Sequence, residues 1–487
     1  MTRESAIHYA EDLVDSGTFK TGLARLIAMP TESQNPGRSE VLEEYLANGI
    51  RPMLEELGFT CTRLTHPSAE APFLFAERIE GDQLPTILGY GHGDVVRGLD
   101  ASWTPGLSPW VLTEVDEKCY GRGVVDNKGQ HAINIAALKS VLETRGKLGF
   151  NAKFLIEMGE EVGSPGLREL CAQHRSLFMA DALIASDGPR LARELPTLFL
   201  GTRGAATFDL TIDARSGGHH SGNWGGLLSD PAIQLAHAIS TIVSPTGRIL
   251  IDAWVPRDIP ASVRRALSEC VVDGGSDGPS IDPDWGEPGL SRAEQVFGWC
   301  SFDVLAMEAG DPATPVNAVP PRAWARCQLR FVVGINPDDI MPALRRHLDR
   351  HGFNMVAVTD VDGISHATRL DPEDEWVQFT ARSIERTSQR KPVILPNLGG
   401  TLPNDIFAEV LGLRTIWVPH SYPGCSQHGP DEHLPLDILR DGLRLMTGIY
   451  WDLGEMRDAI RGDVFEEPPV FLRAEKPTVS CSHSPNY

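Results

Sequence analysis

Ionisable side chains directly follow four apolar segments of the chain. These segments and the side chains after them are 86–90 with His92 and Asp94, 152–158 with Glu160 and Glu161, 182–185 with Asp187, and 415–418, from which a loop leads to His428. A fifth acid, Asp126, stands where a loop turns into a helical pattern. If the segments are parallel strands, their carboxyl ends line one crevice and these side chains converge there. Two imidazoles with several carboxylates suit a divalent metal such as zinc, whereas oxygen ligands alone would suit magnesium or calcium.

The number of donor side chains bears on the number of metal ions. Five ligands are one too many for a single tetrahedral ion that keeps an open position, so two ions that share one bridging carboxylate is the better count. Adjacent Glu160 and Glu161 would repel each other unless a cation lies between them or one carries a proton. A metal ligand beside a general base resolves this conflict. We expect the Asp94 carboxylate to accept the other N–H of the ligand imidazole of His92; a ligand role and a solvated loop acid are the alternatives.

The elements that hold these side chains fall into two patterns. Towards both chain ends, short apolar runs alternate with helical periods, which predicts an α/β catalytic domain with a mostly parallel central sheet flanked by helices. Between them, strand, helix and strand patterns predict a smaller inserted α+β domain. We therefore expect a catalytic domain from residues 1–201 and 371–487, interrupted by an inserted domain at 202–370, with a loosely packed tail at 466–487.

The composition excludes several classes of protein. The 487 residues include 44 Lys and Arg against 66 Asp and Glu, a formal charge of −22. Nucleic acids and anionic membrane surfaces attract a positive face, so neither is an expected partner. The chain has no run of about 18 apolar residues that would span a bilayer, and its first residues lack the apolar core of a signal peptide. Eight cysteines without a CxxC pair are typical of a reducing compartment, so we expect a cytoplasmic protein.

Six motifs resemble those of the two-domain dinuclear zinc peptidases and deacylases. This family includes carnosinases, bacterial glutamate carboxypeptidase, aminoacylase, acetylornithine deacetylase and succinyl-diaminopimelate desuccinylase. The motifs, in the family's order, are Gly-His92-Gly-Asp94-Val, Gly121-Arg-Gly-Val-Val-Asp126-Asn-Lys-Gly129, Met158-Gly-Glu160-Glu161-Val-Gly-Ser, Ser186-Asp187-Gly, His220-Ser-Gly-Asn-Trp-Gly-Gly and His428-Gly-Pro-Asp-Glu432. The resemblance covers nearly the whole chain.

The resemblance implies a role for each residue of the metal site. The implied ligands are His92 and Asp187 for one ion, Glu161 and His428 for the other, and Asp126 as the bridge. Glu160 would be the general base and acid, and Asp94 falls on the family's aspartate behind the metal ligands. The two ions would be zinc, with manganese or cobalt as alternatives. The peptide bond between Asp126 and Asn127 would be cis, as is usual in the family.

Five positions outside the metal site also match the family. His220 would donate to the developing oxyanion, in relatives often from the partner subunit, so a homodimer through the inserted lid domain is expected; the alternative is a turn histidine. Arg330 would bind a substrate carboxylate with its planar fork of donors, or it is a strand arginine paired across the sheet. Asn317 would lie near the substrate, and Gly400 and Thr401 would line the pocket.

These residues predict a hydrolase that cleaves an amide or peptide bond in a small, dipeptide-like substrate, with Glu160 as general base towards a metal-held water. Removal of an acyl, succinyl or carbamoyl group from an amino acid would use the same site and is the alternative activity. The loop-rich segment 271–290 and the segment 399–403 are closer to carnosinase-type relatives and favour a dipeptidase. A serine hydrolase is disfavoured because no Gly-x-Ser-x-Gly elbow occurs. A non-catalytic scaffold is disfavoured because an idle site has no need of the base.

Overall fold

The structure of the protein, a computed structural model, describes residues 2–274 and 278–456. The predicted tail at 466–487 lies outside the described residues. The helices are α1 (Arg3–Asp15), α2 (Thr18–Ile27), α3 (Ser39–Glu44), α4 (Arg51–Glu56), α5 (Lys128–Arg145), α6 (Leu167–Gln173), α7 (Arg175–Phe178), α8 (Ser221–Trp224), α9 (Pro231–Ile242), α10 (Ala261–Leu267), α11 (Arg292–Phe297), α12 (Pro337–Arg350), α13 (Glu375–Ser388) and α14 (Leu436–Leu453).

The strands run from the end of the N-terminal helices to the start of α14. They are β1 (Thr60–Leu64), β2 (Phe73–Arg78), β3 (Thr86–His92), β4 (Thr113–Val115), β5 (Lys118–Tyr120), β6 (Asn151–Glu157), β7 (Ala182–Ala185), β8 (Thr197–Phe199), β9 (Gly204–Asp213), β10 (His219–His220), β11 (Ser301–Glu308), β12 (Ala318–Val319), β13 (Arg322–Phe331), β14 (Ala357–Ser365), β15 (Val393–Leu395), β16 (Arg414–Trp417) and β17 (His433–Pro435).

A mixed sheet that combines both ends of the chain forms the centre of the fold. Over the described ranges its strand order is β1-β2-β6-β3-β7-β16-β8-β15. The central strands β6, β3, β7 and β16 are parallel to one another, and antiparallel pairs join β1 and β2 at one flank. The central strands are buried almost throughout, as parallel strands between two helical layers must be. The predicted α/β architecture is thereby confirmed.

Helices cover both faces of this sheet and enclose two apolar cores. One core packs α1, α5 and α14 against the sheet, with Phe154 and Leu443 buried. The other contains Leu170 of α6 and Phe407. Each fully buried Leu or Phe side chain stabilises the fold by about 1.5–3 kcal/mol relative to exposure. Both layers leave the carboxyl ends of the parallel strands free to carry a site.

A second sheet is antiparallel, and its strands fall along the chain between the two groups of strands that form the first sheet. Its order is β11-β13-β9-β14. Buried and half-buried residues alternate along β9 and β13, the pattern of a sheet with one covered face. Apolar residues of α9 and α12, such as Leu235 and Leu344, pack against the covered face. The edge strand β11 is largely exposed.

The domain bounds at residues 201/202 and 370/371 remain a prediction. All strands of the antiparallel sheet fall inside 202–370, but two helices from the same range pack elsewhere. Val263 of α10 and Phe297 of α11 belong to the apolar core of the eight-stranded sheet, where α10 contacts β15. Residues 202–370 therefore form the antiparallel sheet and also contribute two helices to an apolar core of the eight-stranded sheet.

Short elements were not predicted from the sequence. β10 and β12 pair over two residues, and β17-β5-β4 is a sheet of three-residue strands. Segments of this length carry no measurable periodicity. Among the described residues, no helix combines the length and apolarity that crossing a membrane requires.

Candidate metal centre and active site

Neighbouring strands of the central sheet place ionisable residues at their carboxyl ends. Each is placed by the end of an element: His92 ends β3, Glu160 and Glu161 form a 3₁₀ turn after β6, Asp187 follows β7 by two residues, Asp126 precedes α5, and His428 lies in the loop after β16. Because β6, β3, β7 and β16 are adjacent and parallel, their carboxyl ends converge as the sequence pattern predicted.

Two clusters of potential metal ligands share Asp126. The first cluster is His92, Asp126 and Asp187; the second cluster is Asp126, Glu161 and His428; within each, the ligand atoms lie within 4.8 Å of one another. His92 Nε2 lies 3.2 Å from Asp126 Oδ1 and 3.5 Å from Asp187 Oδ2. His428 Nε2 lies 2.9 Å from Asp126 Oδ2 and 3.2 Å from Glu161 Oε2. The two oxygens of Asp126 therefore face different clusters.

The donor atoms fit a pair of divalent ions. His92 Nδ1 lies 3.1 Å from the carbonyl oxygen of Asp94; since a carbonyl can only accept, Nδ1 carries the proton and the neutral ring presents a lone pair at Nε2. That lone pair faces carboxylate oxygens of Asp126 and Asp187, which is repulsive unless a proton or a metal cation lies between them. Asp187 Oδ2 and Glu161 Oε1 are also buried without a hydrogen-bond partner. Cations would satisfy these oxygens.

The electrostatics of the ionisable groups indicate the same need for positive charge. Burial opposes it, but contacts with carboxylates raise the pKa of His92 well above its usual range. Contacts with Asp126 and Glu161 raise the pKa of His428 to about 10. Burial raises the pKa of Glu161 and of Asp187. Burial also acts against ionised Asp126, but the two imidazoles lower its pKa overall. The ligands of each cluster would therefore stabilise a cation at the point where they meet.

Asp94 holds the turn that carries both glutamates. It is fully buried, and its carboxylate accepts the N–H groups of Glu160 at 3.2 Å and of Glu161 at 3.1 Å. Its Oδ1 lies 3.5 Å from His92 Nδ1, farther than the carbonyl oxygen of the same residue. The nearest acceptor for the imidazole is therefore the backbone of Asp94, while its carboxylate fixes the turn.

The loop before α5 brings its backbone unusually close to the helix start. The Asp126–Asn127 peptide bond is cis, as predicted. A Cβ at Gly129 would lie 1.9 Å from the carbonyl oxygen of Val124, so only glycine permits this approach. Asn127 Nδ2 donates to the carbonyl oxygen of Ser186 at 2.8 Å. That bond joins the Asp126 loop to the segment that carries Asp187.

Glu160 has the environment of an acid–base group. Burial raises its pKa well above the usual range, and the negative charges of Asp187, Glu161 and Asp126 act in the same direction. A carboxyl group with a raised pKa beside a metal cluster can both take and return a proton.

A separate group contains the predicted carboxylate-binding arginine. Arg330 Nη1 donates to Thr401 Oγ1 at 2.9 Å, and Arg330 Nε donates to Gln328 Oε1 at 3.1 Å. Both partners are neutral, and no carboxylate among the described residues is hydrogen-bonded to this guanidinium. Gly400 precedes Thr401 in the same loop and is half-buried. The structure therefore brings Arg330, Gly400 and Thr401 together, and their substrate roles remain predictions.

His220 and Asn317 lie on the β10–β12 ribbon of the inserted segment. Both are exposed, and the carbonyl oxygen of Asn317 accepts the N–H of Ser221 at 2.9 Å. His220 Nδ1 accepts the N–H of Gly222 at 3.1 Å, which leaves Nε2 as the donor to other groups. No hydrogen bond or ion pair within the described part of the chain joins His220 to either cluster.

Sequence reasoning assigned no role to two buried ionic residues near these groups. Arg203 donates through Nε to the carbonyl oxygen of Gly399 at 2.9 Å. Glu432, the last residue of the motif that begins at His428, is fully buried beside the Asp126 loop. The place of Glu432 at the end of a motif and of Arg203 directly before β9 could have signalled them.

The sequence matches the model of the family described as Peptidase family M20/M25/M40 over residues 88–452. This match covers most of the chain, and the chain therefore belongs to peptidase family M20/M25/M40. Members are metal-dependent peptidases, in agreement with the two clusters. The resemblance inferred from the six motifs is confirmed.

Curated relatives and solved structures extend this finding along the chain. The chain is 30 % identical over 481 residues to Cys-Gly metallodipeptidase dug1 of Schizosaccharomyces pombe, covering 90 % of this chain and 96 % of that protein. It is 27 % identical to mouse Beta-Ala-His dipeptidase over 408 residues, which cover 79 % of this chain and 80 % of that protein. The fold is similar to that of human carnosine dipeptidase 1, with a TM-score of 0.74, 22 % identity and coverage of 93 % and 99 % of the two chains.

Proposed function

We propose that the protein is a dinuclear metallodipeptidase that hydrolyses small peptides with a free C-terminal carboxylate. The observation that carries this proposal is the sharing of Asp126 between two clusters, beside an acid–base carboxyl group at Glu160. The first cluster would hold one divalent ion and the second cluster the other, with zinc as the metal and manganese or cobalt as alternatives. The relatives named for Cys-Gly and Beta-Ala-His dipeptides support this substrate class.

The bound ions and the side chains of the protein would have different roles in hydrolysis. The bound ions would polarise the scissile carbonyl and lower the pKa of water to about 7. Glu160 would take a proton from the attacking water and return it to the leaving nitrogen. Asp94 would orient Glu160 through the backbone of the turn. No acyl-enzyme is required, since water is the nucleophile.

Arg330 would bind the substrate's terminal carboxylate. A guanidinium offers two parallel donors that match a carboxylate, and Thr401 holds that guanidinium at 2.9 Å. Gly400 in the same loop would leave room for the substrate. Asn317 on the β10–β12 ribbon would close over it.

His220 would complete the site of a partner subunit in a homodimer. Its imidazole is exposed, and Nε2 is directed away from the bond that Nδ1 accepts. The edge strand β11 exposes apolar Val304, Leu305 and Met307, and an unpaired apolar edge favours pairing with a second copy. Leu305→Lys would then yield a monomer in light scattering.

The test separates the base from the metal site. Glu160→Gln should bind zinc normally and lose about 10²–10⁴-fold in kcat. The matched control is Glu157→Gln, since Glu157 is a buried carboxyl at the end of β6, three residues before Glu160, and its partners are the hydroxyls of Tyr90 and Ser164. Its kcat should stay near that of the wild type. Equal kcat for Glu160→Gln and wild type would overturn the role of Glu160.

A substrate panel separates dipeptidase from deacylase. Dipeptides with a free amino terminus should be cleaved faster than N-acetyl, N-succinyl or N-carbamoyl amino acids by the zinc-loaded enzyme. The reverse order would establish the alternative deacylase, which would use the same metals and base. Zinc binding without turnover of either class would establish the scaffold.

A further inference from the structure

Glu432 is a fully buried carboxylate that collects donors from the loop before α5. Its side chain accepts three backbone N–H groups: Gly123 at 3.0 Å, Val125 at 3.1 Å and Asp126 at 3.3 Å. Its own carbonyl oxygen accepts the N–H of Gly121 at 3.1 Å. Nearly every residue from Gly121 to Asp126 is thus tied to Glu432.

Arg122 connects the same carboxylate to the loop that carries His428. Arg122 is 1 % exposed, and its Nη1 donates to Glu432 Oε2 at 2.8 Å. Its Nη2 donates to the carbonyl oxygen of His428 at 3.4 Å. Glu432 also lies only four residues after His428 along the chain. Two of the three ligands of the second cluster, Asp126 and His428, are therefore connected to Glu432, Asp126 through its backbone N–H and His428 through Arg122.

The geometry of these contacts suits a carboxylate, because every partner is a donor. A buried carboxylate is unfavourable unless charged and backbone donors satisfy it, and here four donors surround two oxygens. Gly123 has a φ of +87°, which directs its N–H towards Glu432, and a Cβ there would meet Val95 at 2.9 Å. An amide in place of the carboxylate would offer a single acceptor oxygen and would turn N–H groups towards the Arg122 guanidinium.

We propose that Glu432 is a positioning residue that sets the distance between Asp126 and His428, and so the affinity of the second cluster for its ion. The proposal rests on the two-metal site of the proposed function. Glu432 does not touch the ligand atoms themselves; it acts through the backbone of Asp126 and through Arg122. Residues that orient metal ligands in this way typically change metal affinity about 10–100-fold when replaced.

The first cluster shares Asp126 but has two further supports of its own, which makes the expected effect unequal between the two ions. Asn127 donates to the carbonyl oxygen of Ser186, beside Asp187, and the Asp94 backbone orients His92. Loss of Glu432 leaves both contacts in place. Asp126 also belongs to the first cluster, so we expect the affinity for that ion to fall as well, but less than the affinity for the second ion, because only the second cluster also loses the support of His428.

The test counts zinc ions bound to each chain during titration with zinc alone, using native mass spectrometry. Glu432→Gln should require about 10–100-fold more free zinc to take up the second ion. Asp452→Asn is the matched control: Asp452 is a largely buried carboxylate that accepts Arg3 Nε at 2.8 Å and the Ser383 hydroxyl at 2.6 Å. It should lower the melting temperature and leave both zinc affinities unchanged.

Each outcome decides one point. Wild-type affinity for both ions in Glu432→Gln, or an equal loss at both, would overturn the proposal. A wild-type chain that never binds a second ion would overturn the proposed function instead. If Glu432→Gln does not fold, Arg122→Lys decides, since it keeps a positive charge and removes the donor to the His428 carbonyl: weaker binding of the second ion supports the proposal, and unchanged binding overturns it.

Discussion

Replacement of Asp94 by alanine removes the acceptor that holds the turn with Glu160 and Glu161. Two backbone N–H groups lose a charged partner at 3.2 and 3.1 Å. Hydrogen bonds to a charged group contribute about 1.5–3 kcal/mol each, so the two together stabilise this conformation of the turn by about 3–6 kcal/mol. The turn also keeps a bond from the Gly163 N–H to the Glu160 carbonyl oxygen at 2.8 Å. Part of the preference therefore survives, and we expect zinc affinity to fall about 10–100-fold.

The assay compares zinc affinity and kcat/KM in three variants. Asp94→Asn keeps one acceptor oxygen and should lose less in both quantities than Asp94→Ala. The control Asp374→Ala also removes a carboxylate that accepts a backbone N–H, from Trp376 at 2.9 Å, together with Arg414 Nε at 3.1 Å, and should reduce the free energy of unfolding by at least about 1 kcal/mol without changing zinc affinity. Wild-type zinc affinity and kcat/KM in Asp94→Ala would refute the reasoning.

Four further outcomes follow from the structure. Chelation should abolish activity and lower the melting temperature, and zinc at about 100 times its Kd should restore about 2.7 kcal/mol of stability measured by urea unfolding; activity that survives full metal removal contradicts the metal centre. Arg330→Lys should raise KM for peptides with a free carboxyl terminus more than for their C-terminal amides, and equal changes would reject carboxylate binding. Mixed dimers of His220→Ala and Glu160→Gln should regain up to about one quarter of wild-type activity after subunit exchange, whereas no recovery would place His220 in its own subunit's site. Glu409 raises the pKa of His366. His366→Gln should therefore lower the free energy of unfolding below pH about 6.5, and the difference from wild type should shrink as the pH rises through the raised pKa. A difference that does not depend on pH would show that the His366–Glu409 ion pair does not stabilise the fold.

The central sheet could be predicted because its strands are buried on both faces. The apolar runs at 152–158 and 182–185 correspond to β6 (Asn151–Glu157) and β7 (Ala182–Ala185), since parallel strands between helical layers must be apolar throughout. Edge strands carry no such signal. β1 is largely exposed, and its pairing with β2 depends on a neighbour rather than on its own residues.

The metal ligands could be predicted from the sequence, but the hydrogen bonds that hold the segments carrying them could not. The strand ends identify His92, Asp187 and the two glutamates, because the residue after a buried strand is placed by the sheet. The partners of Asp94 and Glu432 are backbone N–H groups, which every residue possesses. No residue type in the sequence marks such donors, so these contacts became visible only in three dimensions.

Two carboxylates outside the clusters, Asp94 and Glu432, hold different segments of the metal centre. Asp94 accepts consecutive N–H groups of the turn with Glu161, and Glu432 accepts those of the loop with Asp126. Both are fully buried, where the low dielectric strengthens a charged hydrogen bond and makes an unpaired donor costly. Because each acceptor holds backbone, it fixes the position of a ligand's Cα and leaves the side chain free to adjust to an ion. Loss of Asp94 should therefore displace Glu161, and loss of Glu432 should displace Asp126 and His428, so that both losses weaken the second cluster and the first cluster is weakened only through its shared ligand Asp126.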